Sequence, residues 1–443
     1  MDIPQDVLSC IQTLENASYP TYAVGGCVRD HLLGLRPHDF DLCTAATPDQ
    51  MQSVFSKHKL VLAGVKHGTV GVVCPSGVVE ITTFRTEGTY ADNRHPNWVS
   101  FVTDIEEDLA RRDFTVNAMA YSPTRGLCDP FGGQADLKNR ILRAVGDPDK
   151  RFAEDSLRIL RGARFAARFD LQVEDNTAAA MLRLRHLMDN LARERVFDEL
   201  CKLLLSADGL ILIRFAPIIT QVIPELAPTV GFDQHSPYHA FDLYTHIAHV
   251  TGNTPKDLPL RWAALLHDIG KIPTYTQDDT GRGHFYGHAG ESAAMADAVL
   301  RRLKAPTALR EEVVTLIAQH MTKPEPDKKF LRRRLSVLGE PTLRRLLSLQ
   351  MADMGSKGVT NGMDDDYFAP ILALLDQVIS EDACLSIRDL RVDGNDLMTL
   401  GLSGKQIGAC LQFLLEQVLE EKLPNEKTAL LTAARRRIPE DTK

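Results

Sequence analysis

Residues 22–84 alternate short apolar runs with glycine-rich turns. Tyr22-Ala23-Val24, Thr69-Val70-Gly71-Val72-Val73 and Val78-Val79-Glu80-Ile81 are rich in the β-branched and aromatic side chains of strands. Phe101-Val102 reads as a further strand, with a helix after Asp104. From residue 152 the period changes to that of helices. Helical patterns cover 152–169, 177–188, 193–206, 240–252, 259–269, 289–303, 307–320, 342–353, 368–380 and 405–420. The pattern predicts an α+β protein, a mixed-sheet head followed by a long all-helical body. The segment 273–287 reads as a polar loop and 355–366 as a Gly-rich linker.

At 443 residues the chain is too long for one core, so several domains are expected. The hydrophobic share of 44% and charged share of 25% are those of globular protein. No apolar run reaches the eighteen or so residues of a membrane span, and the N-terminus lacks a secretory pattern. The eight cysteines, Cys10, Cys27, Cys43, Cys74, Cys128, Cys201, Cys384 and Cys410, include no Cys-x-x-Cys pair. They read as reduced thiols of a cytoplasmic enzyme, not a zinc knuckle or disulfide scaffold. A net charge of −8 argues against indiscriminate coating of nucleic acid, but a local basic groove remains open. Residues 301–350 hold twelve Lys/Arg against five Asp/Glu. Arg332-Arg333-Arg334 there, and Arg435-Arg436-Arg437 near the end, read either as solvated helix faces or as RNA contacts.

The most informative chemistry lies at Val24-Gly25-Gly26-Cys27-Val28-Arg29-Asp30, followed by Leu32-Leu33-Gly34 and His38-Asp39-Phe40-Asp41. Two glycines after a strand let the backbone turn sharply beside a ligand. A helix starting there turns free N–H groups toward a phosphate, and Arg29 in its first turn adds a charged donor. Asp39 and Asp41, two apart on a strand, share a face. Two carboxylates so close call for a cation, and hard Mg²⁺ suits oxygen ligands. Glu80 is a candidate third carboxylate, or an ordinary edge-strand residue.

On these residues the chain resembles the nucleotidyltransferases of DNA polymerase β type. More narrowly it resembles the class II CCA-adding enzymes and bacterial poly(A) polymerases. Gly25-Gly26-x-Val28-Arg29-Asp30-x-Leu32-Leu33-Gly34 with Asp39-x-Asp41 is similar to that family's first motif. Arg111-Arg112-Asp113-Phe114-Thr115-Val116-Asn117-Ala118 is similar to its second, which implies a nucleotide contact for Arg112. Glu87 to Pro96 resembles the flexible loop of CCA-adding members, with Arg94-His95 where many members have two arginines. The resemblance implies Mg²⁺ on Asp39 and Asp41, Gly26 and Arg29 at the nucleotide, and stepwise addition of C, C and A to the 3′ end of tRNA from CTP and ATP.

In the predicted helix 152–169, Phe152, Ile159, Leu160, Ala163, Ala166 and Ala167 fall on one side. Glu154, Arg158, Arg161, Arg164 and Arg168 fall on the other. That face is either solvated or matched to a triphosphate. Asp155 and Arg158, spaced i, i+3, would present an acceptor beside a donor, which fits the Watson–Crick edges of C and A and rejects G and U. The family's Glu-Asp-x-x-Arg selection motif stands here as Glu154-Asp155-Ser156-Leu157-Arg158, Glu154 bracing the reader, and Arg161 and Arg164 match nucleotide-binding positions. A poly(A) polymerase of the same family is the alternative.

His246, His267-Asp268-Ile269-Gly270-Lys271, His288, His320 and Asp353 lie on successive predicted helices, a pattern of metal ligands. The segment resembles HD phosphohydrolases. That implies His246, His267, Asp268 and Asp353 as ligands of a divalent metal and His288 and His320 as ligands of a second. It also implies an accessory phosphohydrolase activity. A phosphohydrolase with a nucleotide-sensing head is a further alternative. The expected domains are a head at 1–145, a neck at 146–230, an HD-type domain at 231–358 and a tRNA-binding tail at 359–443. In the tail, Gly401, Gly404 and Gly408 allow either close RNA approach or helix packing.

Overall fold

The computed structural model describes residues 1–37, 39–87, 99–237, 240–358, 365–381 and 384–437. The chain divides into two compact units, Met1–Ala227 with Arg301–Ala305, and Pro228–Leu300 with Pro306–Lys443. Four segments were expected. Head and neck fall into one unit because they share a core: Phe114 packs edge-on to Phe165 and tilted to Phe152, both on neck helices. Among the described residues no helix is long and apolar enough to cross a membrane.

In the first unit the strands are β1 (Thr21–Val24), β2 (Leu42–Thr44), β3 (Leu60–Val61), β4 (Thr69–Cys74), β5 (Gly77–Thr83), β6 (Arg85–Glu87), β7 (Val99–Phe101), β8 (Ala120–Ser122) and β9 (Gly126–Cys128). Seven form one mixed sheet in the order β3-β4-β5-β2-β1-β8-β9, and β6 pairs with β7 separately. β2 runs parallel to β5, with Leu42 beside Ile81, and antiparallel to β1, with Ala23 beside Leu42. β8 is antiparallel to β1, with Val24 beside Ala120. These directions bring the end of β1 and the starts of β2, β5 and β8 to one end of the sheet. Gly25, Asp41 and Asn117 therefore gather there although they lie far apart in sequence. Tyr22, Val24, Cys43, Phe84, Leu109 and Ala120 belong to the core that holds this end.

The expected helix 152–169 is two helices, Pro148–Glu154 and Leu157–Phe169. Asp155 is extended (φ −143°, ψ 100°), and its carboxylate accepts the Leu157 N–H at 3.2 Å, starting the second helix. The Ser156 hydroxyl donates to the Leu187 carbonyl at 3.1 Å. Asp and Ser thus act as helix starters, which the 3.6-residue period alone does not reveal.

The second unit is helical. Asp242 and Asp257 cap the helices Leu243–Asn253 and Leu258–Leu266 through the backbone N–H groups of Tyr244 and Leu260. The pattern over 342–353 is the second half of a longer run, Lys328–Gly355, broken where Gly339 has φ 73° and Pro341 follows. The expected loop 273–287 contains a small hairpin, Thr276–Gln277 paired with Gly283–His284. The Leu331, Leu335, Leu347, Phe368 and Leu375 side chains form one core and Leu397, Leu414 and Leu430 anchor another.

Candidate functional site

Asp39 and Asp41 lie on the approach to β2, just before its first residue. The Asp41 carbonyl still accepts the Val24 N–H at 3.0 Å, so this approach continues the β1–β2 pairing. The Asp41 carboxyl is pushed above its ordinary value by the protein packed around it. The Asp39 charge adds to this and Arg112 opposes it. Glu80 is exposed on β5, one residue before the Leu42 partner Ile81. Among the described residues, the clusters whose metal-ligating atoms all lie within 4.8 Å of one another do not include Asp39, Asp41 or Glu80.

Gly25 caps the helix Gly26–Leu32 with φ 71° and ψ −117°, a conformation reserved for glycine. A Cβ there would lie 2.7 Å from Nη1 of Arg112. Arg112 therefore rests on bare glycine backbone at the mouth of the turn. Its Nη2 is 3.4 Å from the buried Asp108, which also binds Arg111 at 2.8 Å. Burial would raise the Asp108 carboxyl, but the two arginines outweigh it and hold it below its usual value. Arg29, expected to face a phosphate, is instead buried. It donates to Asp30 at 2.6–2.9 Å and to Asn117 at 2.5 Å, and lies 4.3 Å from the Phe169 ring. It ties the glycine turn to the neck helix.

Of the four arginines along this neck helix only Arg168 is exposed; the other three do not form the open face that the helical wheel implied. Arg158 and Arg164 are buried and Arg161 is half-buried, because the first unit packs around both sides of their helix. Arg158 donates to Glu154 at 3.0 Å and to the Arg111 and Arg151 carbonyls at 2.9 and 3.1 Å. Asp155 accepts from Arg195 at 2.8 Å. The two residues read as a base-selecting pair are thus braced by Glu154 on one side and Arg195 on the other. Arg161 donates twice to Asp113, at 2.7 and 2.9 Å. Arg164 pairs with Glu199 at 2.6 Å and lies on Phe165 at 4.2 Å. Burial would raise the Asp113 carboxyl, but Arg161, Asn117 and Arg158 hold it at about 2.

In the second unit six distant residues converge. His246 Nε2 is 3.0 Å from Asp353 and 3.5 Å from Asp268 Oδ2, and His267 Nε2 is 3.2 Å from the same Oδ2. Across the carboxylate, His288 and His320 Nε2 lie 3.4 and 3.8 Å from Asp268 Oδ1 and 3.3 Å from each other. Each imidazole turns Nδ1 to a backbone carbonyl, of Ser356, Ala264, Phe285 and Ile317 respectively. An Nδ1–H donated to a carbonyl leaves Nε2 as a lone pair facing inward, the arrangement of a metal ligand. Two trios fit one ion each, His246-His267-Asp268 and Asp268-His288-His320, with Asp268 shared.

Sequence reasoning missed Asp108, Asp113, Asn117, Arg195 and Glu199, which hold the arginines. Asp113 and Asn117 stand inside the second motif and were legible as polar residues in an apolar run; Arg195 and Glu199 carry no local signal. Arg332, Arg333 and Arg334 are spent on protein partners: Glu381 and Glu421, Glu420, and Gln319 respectively. Arg437 lies over Phe413 at 4.3 Å. The loop carrying Arg94 and His95 lies outside the described residues. In the tail, Gly401 and Gly404 have positive φ, whereas Gly408 is within a helix.

Three families match parts of the chain: "Poly A polymerase head domain" at residues 21–143, "Probable RNA and SrmB- binding site of polymerase A" at 170–229, and "HD domain" at 239–354. The chain is 34% identical over 433 residues to a CCA-adding enzyme of Levilactobacillus brevis, covering 96% of this chain and 95% of the relative. It is 47% identical over 199 residues to that of Ligilactobacillus salivarius, 45% of this chain and 49% of the relative. A solved CCA-adding enzyme of Bacillus stearothermophilus in complex with CTP is similar at a TM-score of 0.71 and 27% identity, covering 99% of this chain and 98% of that one.

Proposed function

This chain belongs to the family of CCA-adding enzymes, and from that membership we propose how its residues add C, C and A to the 3′ end of tRNA from CTP and ATP. The observation that carries the reading is the convergence, at one end of the sheet, of Asp39 and Asp41 with the Gly25–Arg112 cradle. Asp39 and Asp41 hold Mg²⁺. Burial chiefly, and the nearby Asp39 charge in addition, raise the Asp41 carboxyl, and a cation between the two acids would offset both costs. Held by these two carboxylates, Mg²⁺ would supply Lewis-acid activation of the 3′-hydroxyl and countercharge for the phosphate. Gly25 and Gly26 admit the triphosphate close to backbone, and Arg112 supplies charge to it.

Asp155 accepts from the exocyclic amine of C or A, and Arg158 donates to the neighbouring ring nitrogen. Glu154 and Arg195 keep both from turning away. Arg29, Arg161 and Arg164 contribute positive potential; Arg29 and Arg161 also brace head against neck, while Arg164 is held within the neck by Glu199. The His246-His267-Asp268-Asp353 and Asp268-His288-His320 sets would hold divalent metal, which would supply Lewis-acid chemistry for hydrolysis of a phosphate ester. All eight cysteines are free, which suits the cytoplasm, the compartment we assign.

The test is incubation with tRNA lacking its 3′ CCA and each nucleotide in turn. We expect two C from CTP, then one A from ATP, all abolished by Asp39→Ala and Asp41→Ala. Long A runs, or transfer surviving both substitutions, would overturn the reading.

A further inference from the structure

We propose that Gln234 is a positioning residue of the histidine–aspartate cluster, sharing the Lys271 ammonium with Asp268 Oδ2 so that this oxygen keeps capacity to bind metal. The inference rests on the reading of the cluster as a divalent-metal centre. Gln234 lies outside the stretch 239–354 that matches the HD domain, and no motif in the sequence singles it out.

The two oxygens of Asp268 have different surroundings. Oδ1 faces His288 and His320; Oδ2 faces His246 and His267, and also Lys271 Nζ at 2.7 Å. Lys271 is 6% exposed, and a buried ammonium is costly unless its charge and its N–H donors are met. It has three supports. They are Asp268, the Gln234 side-chain carbonyl at 2.9 Å, and the Phe285 ring at 5.3 Å. A lysine only donates, so the amide oxygen of Gln234 must face it.

Gln234 is itself immobile. It is 1% exposed, and a Cβ on Gly283 would run into its backbone carbonyl, so the hairpin closes tightly over it. The Gly283 N–H donates to the His235 carbonyl at 2.9 Å, fixing the same junction. Without the Gln234 carbonyl, Lys271 has Asp268 as its only oxygen partner among the hydrogen bonds and ion pairs described. Lys271 Nζ already lies 2.7 Å from Oδ2, and with no second acceptor its full donor capacity falls on that oxygen and competes with a cation there. A fixed second acceptor draws part of that donor capacity away.

The experiment is a Co²⁺ titration of the metal-stripped, full-length protein, read by visible absorption, with Asp268→Ala marking the signal of this cluster. We expect Gln234→Leu to weaken Co²⁺ binding about tenfold, the scale on which groups behind a ligand act. Gln234→Glu, which keeps an acceptor for Lys271, restores binding. The effect also vanishes in a Lys271→Met background, because the residue acts through the lysine. Wild-type affinity and spectrum in Gln234→Leu, or a loss that simply adds to that of Lys271→Met, would overturn the proposal. Were Gln234→Leu to unfold, the near-isosteric Gln234→Met, which also lacks the acceptor, decides in its place: loss of Co²⁺ affinity confined to the Lys271 background supports the proposal, and an equal loss in the Lys271→Met background overturns it. If Asp268→Ala binds Co²⁺ as the wild type does, the metal-centre reading itself falls, an outcome distinct from failure of Gln234 alone.

Discussion

Replacing Asp113 with Asn tests whether the buried acid is what holds Arg161 in place between head and neck. Asp113 is 7% exposed, receives two N–H bonds from Arg161 and one from Asn117, and titrates at about 2 against an ordinary 3.8. At about 1.4 kcal/mol for each tenfold change in proton affinity, that difference is worth about 2 kcal/mol of stability at neutral pH. The folded value lies below the unfolded one. The contribution is therefore complete above pH 4 or so and is lost as pH falls toward about 2, with roughly half gone at pH 3. Asparagine keeps the shape and removes the charge, so the loss measures the ion pair and not the packing. The assay is the urea midpoint of the helix Leu157–Phe169, followed by pulsed hydrogen exchange at pH 7, 4.5 and 3. We expect a deficit of about 2 kcal/mol at pH 7 and 4.5 that shrinks to about half at pH 3. KM for CTP and ATP rises together, because Arg161 loses its orientation. An undiminished deficit at pH 3, or none at pH 7, would refute the assignment of the stability to charge.

Two further outcomes follow from the same geometry. Gly25→Ala forces a non-glycine into φ 71° and pushes Arg112 aside. It should cost about 1–3 kcal/mol of stability and lower kcat/KM for C addition at least about tenfold, measured in single turnover; wild-type kinetics would show that Arg112 does not depend on the bare backbone. Arg195→Met frees one oxygen of Asp155 and should raise misincorporation of U and G about tenfold with little change in the rate of C addition, since a charge-assisted hydrogen bond is worth about 1.5–3 kcal/mol. An unchanged ratio of kcat/KM between CTP and UTP would remove Arg195 from nucleotide selection.

Residues close in sequence were legible because their chemistry is local. Gly25-Gly26 after a strand, Asp39-x-Asp41, and His267-Asp268 each declare a turn, a pair of acids or a ligand pair within a few positions. The arginines of 158–168 were legible as a cluster but not in their surroundings. A helical wheel assumes one buried side, whereas this helix is packed on both along Arg158, Arg161 and Arg164, whose charges Glu154, Asp113 and Glu199 take up, and only Arg168 stays exposed. The same limit applies to Arg332 and Arg333, whose pairing with Glu381, Glu421 and Glu420 joins residues about fifty to ninety positions apart.

By itself the sequence determined that a stranded head precedes a helical body, and it declared the acids and glycines of the turn and the clustered histidines, but not where each helix begins and breaks. Periodicity and turn chemistry are properties of neighbouring residues, and they survive without a fold. Only the tertiary structure decided that Asp155 breaks the helix and is braced by Arg195, that Arg29 is buried between head and neck, and that Gln234 stands behind Lys271. Those facts depend on which distant groups meet in a low-dielectric interior. There an unpaired charge costs more than most local preferences can supply, so each buried arginine and lysine takes the acid or carbonyl that packing brings to it.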